Sequence, residues 1–331
     1  VLLFKELKGV DIPRPFARLP WKEAMSRYGT DKPDLRFGLE FKDFSSAFQS
    51  SEIKVFSAAL ERGGIVKGIC VPGGAHLSRK ELDDLTSFVG DYGAKGLAWI
   101  KFAGEEWQSP IAKFLSEGER GAIRAITGAS TGDLLLFVAD EAKIVHDALA
   151  NLRLRLAEKL GLIPQDAYAP VWLVDFPLVE YDTEEKRYVS LHHPFTAPLD
   201  EDIPLLQRDP LKAGSKAYDL VLNGTEIGGG SIRIHQADLQ QEVLRLLGIG
   251  PEEAEAKFGF FLEALRFGAP PHGGIAFGID RLAMILSGAT SLREVIAFPK
   301  SQRAVCLLTD APFSVDPKQL KELGIKVVLN D

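Results

Sequence analysis

Two carboxylates, three consecutive glycines and an arginine fall within one short stretch, AYDLVLNGTEIGGGSIRIH at 217–235. Asn223-Gly224 is the dipeptide preferred by a two-residue hairpin turn, whose central residues need positive φ. In that turn Leu222 faces Thr225 and Val221 faces Glu226, so Asp219 and Glu226 share a face as diagonal neighbours on adjacent strands. Carboxylates so placed reach one hard divalent cation, and Mg2+ held by one or two carboxylates plus substrate phosphates is the expected arrangement. A hairpin with a merely solvated acidic face carries the same turn signal, so the residues after the turn decide between the two.

Gly228-Gly229-Gly230 lacks the GxxxxGK pattern of a P-loop; glycines inside a strand instead mark a bulge or a close approach by ligand or backbone. Ser231 to His235 then alternates, with Arg233 and His235 on one face and Ile232 and Ile234 on the other. Glu226 and Arg233 differ in parity, so unbroken alternation would part them. A bulge within Gly228 to Gly230 is expected to reset the phase. In a walled site a planar guanidinium is the natural bidentate partner of a carboxylate, although a surface arginine reads the same locally. A second cluster, GGIAFGIDRL at 273–282, runs from an apolar strand into a helical pattern, with Asp280 as the expected cap and Gly288 as the end. Arg281 in the first turn adds a fixed cation to the positive end of the helix, which suits a polyphosphate.

In this order the segments resemble motif 3 and the preceding active-site strands of class II aminoacyl-tRNA synthetases, most closely the bacterial-type aspartyl-tRNA synthetases. The resemblance extends through RYGTDKPDLRFGLEF at 27–41, VPGGAHLSRKELDDL at 71–85, YGAKGLAWIKF at 92–102, WLVDFPLVEYD at 172–182, LHHPFTAP at 191–198 and REVIAFPKSQRAVCLLTDAP at 293–312. It implies an α+β fold, an antiparallel sheet flanked by helices, carrying a smaller inserted α/β domain. Expected boundaries are 1–34 for a connector after motif 2, 35–139 for the insertion, and 140–331 for the catalytic domain with motif 3.

The implied reaction is activation of L-aspartate by ATP to aspartyl-adenylate, then transfer to the 3′ end of tRNA(Asp), with tRNA(Asn) as a second candidate. Mg2+ is the implied cofactor, and the intact enzyme is expected to be a cytoplasmic homodimer without a membrane partner. By the same resemblance Asp219 and Glu226 hold the metal, and Glu226 also touches ATP. Gly278, Ile279, Asp280 and Arg281 contact ATP, Arg281 at the terminal phosphate. Arg281 and Glu226 are thus the expected catalytic residues. Arg233 binds the aspartate side chain, and His192 belongs to a loop that closes over it. Ser231, His193 and His235 are further candidates for that wall. The family opens with an OB-fold anticodon domain, motif 1, a mobile loop and motif 2; none precedes Val1, so the chain is expected to be a C-terminal portion. Two other classes stay open: a synthetase-derived module that only binds tRNA or a partner, and an ammonia-using asparagine synthetase, which has no comparable insertion.

Bulk properties agree with a globular protein. The 331 residues are 46% hydrophobic and 26% charged, enough for two cores. No run approaches the roughly 20 apolar residues of a membrane helix. The net charge of −7 argues against gripping nucleic acid by bulk positive charge; in the resembled family most specific tRNA contacts belong to the anticodon domain. Cys70 and Cys306 form no CxxC and read as buried free thiols, and His192-His193 lacks a third ligand for zinc. Periodicity predicts a helix from about residue 20 carrying Trp21, Ala24, Met25 and Tyr28, and another over 140–160. Strands are expected at 65–71, 97–102 and 134–138, with a helix over 78–89. Strands should dominate from 171 until a helix at 251–265, and edge strands are expected at 304–308 and 325–329 around a helix at 317–323.

Overall fold

The computed structural model describes residues 1–104 and 106–328. They form two compact units, Ile12–Phe277 and a smaller one made of Val1–Asp11 with Gly278–Asp331.

The larger unit holds two five-stranded sheets. In the first the spatial order is Ala17–Pro20, Pro170–Val174, Ala217–Leu222, Thr225–Ile232 and Gly273–Phe277. Every pairing is antiparallel except the outer one between Ala17–Pro20 and Pro170–Val174. Ala17–Pro20 carries no strand signal in the sequence: it is four residues long and ends in proline, which only an edge strand tolerates. Helix Trp21–Tyr28 comes directly after it. Ala24 and Tyr28 are buried against Val171, Leu173, Ala217 and Val221.

The second sheet, ordered Phe41–Asp43, Ile65–Val71, Leu134–Asp140, Ala98–Ala103 and Glu106–Gln108, is antiparallel throughout. It has a core on each face. Leu136 and Val138 pack with Leu85 and Leu149 on one side, while Leu135 and Phe137 pack with Phe44, Phe56 and Ile123 on the other. Burial on both faces explains the unbroken apolar run LLLFV. Helix Arg79–Gly90 starts at a capping box, Ser78 and Glu81 each accepting the other's backbone N–H.

Helix Ala142–Lys159 buries the expected stripe, Val145, Ala148, Leu149, Leu152 and Leu156, against this second sheet. Its Arg153 is almost wholly buried and acts as a peg. It donates to the carbonyl oxygens of Asp34, Phe37 and Gly38 and lies over the rings of Tyr28 and Phe37. Burial lowers its pKa to about 10. The segment it fixes, 34–38, begins two residues after Lys32.

Several expectations need correction. Helix Ala237–Leu246 interrupts the stretch read as strand-dominated; its apolar face packs Val243 and Leu244 into neighbouring cores. In the smaller unit, helices Ile279–Ser287 and Pro317–Glu322 form, but the edge strands do not. Residues 304–308 are turns with one isolated bridge between Lys300 and Cys306. Residues 325–328 take no regular structure, and Leu329 lies outside the described residues. Apolar composition alone does not make a strand without a ladder partner, and Leu307, Leu308, Val327 and Val328 are exposed. The helix cap is Gly278, not Asp280, which sits inside the first turn where its charge favours the helix dipole. Both thiols are free but neither is fully buried. Among the described residues no helix is long and apolar enough to cross a membrane.

Candidate functional site

The site is built on the hairpin joining Ala217–Leu222 to Thr225–Ile232. Asn223 and Gly224 both take positive φ, 52° and 82°, as the tight turn requires. The Asn223 amide is held from both ends, donating to Ala167 O and accepting from Ala169 N, each at 2.9 Å. Val221 faces Glu226 and Leu222 faces Thr225, as the turn predicts.

The register then shifts: Leu220 pairs with Gly228, leaving Ile227 as the extra residue. The bulge is therefore one residue earlier than the glycine run, and Gly228 to Gly230 stay in regular register with both neighbouring strands. Its effect on phase is the one the site needs, since Asp219 now opposes Gly229 and alternation carries Ser231 and Arg233 to the same face. The glycines serve close approach instead. A β-carbon at Gly230 would collide with the carbonyl oxygen of Gly274, and one at Gly228 would lie 2.8 Å from the Phe277 ring. At Gly229 it would collide with Asp219 Oδ1 and lie 3.4 Å from Glu226 Oε1. That geometry confines the two carboxylate oxygens to within about 6 Å of each other, a span that one hydrated divalent cation bridges.

Asp219 is buried and Glu226 partly so. Both line a cavity of about 470 Å3 shared with Trp21, Lys32, Phe176 and His192. His192 Nε2 lies 3.7 Å from Asp219 Oδ2, and its ring stands edge-to-face on Phe176 with centroids 4.5 Å apart. Lys32 Nζ lies 3.5 Å from Glu226 Oε2. Lys32 is the functional candidate that sequence reasoning missed. Its segment reads only as a break in the chain, and nothing local signals a contact with a residue nearly two hundred positions away. Among the described residues no group of three or more His, Cys, Asp or Glu is placed to hold a metal ion by itself. The Asp219 and Glu226 pair offers hard oxygen donors only, which fits Mg2+ completing its shell with water and phosphate and does not fit zinc.

Arg233 does not line that cavity but lies farther along the same face, bridged to Thr196, with its backbone N–H donating to His272 O. Its Nη1 is buried and has no hydrogen-bond partner among the described residues. Burial, and next the Arg233 charge, lower the pKa of His193, so that side chain is neutral near pH 7. Ser231 is buried and already accepts a hydrogen bond from Thr196 Oγ1 at 3.2 Å. His235 is partly buried beyond it.

The second cluster is divided. Gly273–Phe277 is the last strand of the first sheet, whereas Gly278 onward belongs to the smaller unit. There Arg281 is the third residue of helix Ile279–Ser287, and its aliphatic stem packs on Gly278, where a β-carbon would approach Cδ to 3.3 Å. No side chain caps that helix, so its first-turn N–H groups carry the positive end of the helix dipole.

The bulged Asn-Gly hairpin thus brings two carboxylates and an arginine to one face of an antiparallel sheet. The chain belongs to the class II tRNA synthetases (D, K and N), whose family model matches residues 2–302. Within that family it is 56% identical over 326 residues to the aspartate–tRNA(Asp/Asn) ligase of Desulfatibacillum aliphaticivorans, covering 98% of this chain and 55% of that protein. It is 58% identical over 327 residues to the aspartate–tRNA(Asp/Asn) ligase of Thermoanaerobacter sp. (strain X514), covering 99% and 55%. The chain thus spans about half the length of the curated relatives it matches. A solved aspartyl-tRNA synthetase from Entamoeba histolytica overlaps 46% of this chain and 26% of its own at 24% identity, with a TM-score of 0.33.

Proposed function

We propose that this chain carries the motif 3 half of an aspartate-activating site. The reaction is ATP-dependent conversion of L-aspartate to aspartyl-adenylate with release of pyrophosphate. Transfer to the 3′ end of tRNA(Asp) comes next, and of tRNA(Asn) as the names of the relatives suggest. The observation that carries this reading is the buried, unpartnered Nη1 of Arg233 on the face that holds Asp219 and Glu226. A desolvated guanidinium lacking an acceptor is costly, and a carboxylate satisfies it with two parallel hydrogen bonds. The side chain of aspartate fits that demand. Asparagine would leave the charge unpaired, a deficit that sites of this kind convert into discrimination of about 10⁴.

Activation forms a bond from an aspartate α-carboxylate oxygen to the α-phosphorus and breaks the bond to pyrophosphate. Little covalent chemistry falls to the protein, so its work is positioning and fixed charge. Arg233 orients the side chain of the amino acid, and His192 packs beside it with its ring steadied by Phe176. Asp219 and Glu226 would hold Mg2+, which when bound neutralises phosphate oxygen charge. Lys32 keeps Glu226 oriented, and Arg281 at its helix N-terminus holds the terminal phosphate, with Gly278, Ile279 and Asp280 forming the adjoining ATP contacts. We read residues 35–139 as an inserted domain, because its strands pair only among themselves. The reading also carries with it a cytoplasmic homodimer.

The test is ATP–pyrophosphate exchange by the native polypeptide with aspartate or asparagine as the amino acid. Exchange should require aspartate and ATP, with asparagine supporting less than about one-thousandth of the rate. Equal exchange with both amino acids would sink the reading.

A further inference from the structure

The inserted sheet carries a second cavity, about 500 Å3, which has no part in the chemistry above. It opens between helix Lys54–Glu61 and the strands Ala98–Ala103 and Leu134–Asp140. Ile53, Phe56, Leu97, Ile111 and Phe137 make its walls apolar. Its size falls within the roughly 300–1,000 Å3 of small-molecule sites, which are mostly apolar with a few orienting polar groups.

The charged lining residues are all cations: Lys54, Arg62 and Lys95. Lys95 is paired with Asp140 at 3.2 Å, while Lys54 and Arg62 have no side-chain hydrogen bond or ion pair among the described residues. A nucleic-acid backbone would use such cations but has no use for an apolar floor. A neutral hydrophobe would use the floor but gains nothing from the cations. Both features are satisfied together by one elongated molecule with an apolar body and a single anionic end.

We propose that this cavity binds an amphipathic anion, an acyl chain ending in a carboxylate. The chain lies against Ala58, Ala98 and Ile111, which line the cavity and keep exposed surface, and the carboxylate meets Lys54 and Arg62. The ligand is distinct from aspartate, ATP and tRNA, and binding is independent of the activation reaction.

The experiment titrates the native polypeptide with octanoate, decanoate and decanol by calorimetry. Methyl NMR of Ile53, Leu97 and Ile111 locates the site. Affinity should rise about 4-fold per added methylene, hence roughly 15-fold from octanoate to decanoate. Decanoate should bind about 5-fold more tightly than decanol, and the double variant Lys54→Gln with Arg62→Gln should erase that preference while leaving decanol binding unchanged. Ala58→Trp, which fills the cavity from the helix, should abolish both. Failure of decanoate to bind at about 1 mM, equal binding of acid and alcohol by the unaltered protein, or methyl shifts confined to other residues would each overturn the proposal.

Discussion

Gly229→Ala isolates the role of the carboxylate pair, because the added methyl group meets the chemistry and not the fold. The new β-carbon would collide with Asp219 Oδ1 and sit 3.4 Å from Glu226 Oε1. Restoring an ordinary carbon–oxygen contact moves the Asp219 carboxylate by about 1 Å, and a misplacement of that size in a positioned group costs about 100-fold in rate. The obstacle is a side chain that rotates away, so the overpacking cost to stability should be about 1 kcal/mol. Gly230→Ala is the contrasting variant: its methyl group would strike the backbone oxygen of Gly274, which yields only if the ladder between Thr225–Ile232 and Gly273–Phe277 opens. That variant should lose stability, by about 3 kcal/mol. The assay is ATP–pyrophosphate exchange across a Mg2+ titration, paired with thermal denaturation. If Gly229→Ala keeps exchange within about threefold at every Mg2+ concentration while remaining folded, Asp219 and Glu226 do not act as a metal-holding pair.

Arg281→Ala should raise the KM for ATP much more than that for aspartate; equal losses for both substrates would count against a phosphate contact. Arg153→Met removes donors to three carbonyl oxygens and should cost about 3 kcal/mol of stability by chemical denaturation, with an unchanged midpoint contradicting its role as the peg of 34–38. Burial depresses the pKa of His146, with Lys67 adding to the shift and Asp147 and Asp43 opposing it, and its Nε2 is buried without a partner. The unfolded chain takes up the proton first, so the stabilising contribution is complete above about pH 6.5 and shrinks as the pH falls below it. His146→Gln should therefore flatten the decline of the melting temperature between about pH 6.5 and 5; a parallel decline in both proteins would contradict this sign.

What was legible in the sequence was local. Asn223-Gly224 specified its turn and so placed Val221 opposite Glu226, the stripe on Ala142–Lys159 showed its period, and the helix expected over 78–89 formed as Arg79–Gly90. The need for a phase reset between Glu226 and Arg233 was legible too, but its position was not. Glycine suggested a bulge, whereas the extra residue is Ile227 and the glycines answer to Gly274, Asp219 and Phe277, contacts that only the folded sheet creates. Lys32 was opaque for the same reason: its place beside Glu226 is a contact between residues far apart in the sequence that only the folded chain creates. The runs at 304–308 and 325–328 show the converse failure, in which strand-like composition met no partner strand.

The central claim is that Arg233 recognises the side-chain carboxylate of aspartate, and Arg233→Lys tests it most directly. Lysine keeps the charge but loses the two-pronged geometry. Removing one buried partner of such a pair costs about 2 to 5 kcal/mol, or roughly 30-fold to several thousandfold in kcat/KM. ATP–pyrophosphate exchange by the native polypeptide should show that loss for aspartate, with the KM for ATP nearly unchanged. A lysine variant within about threefold of the unaltered protein would contradict the account.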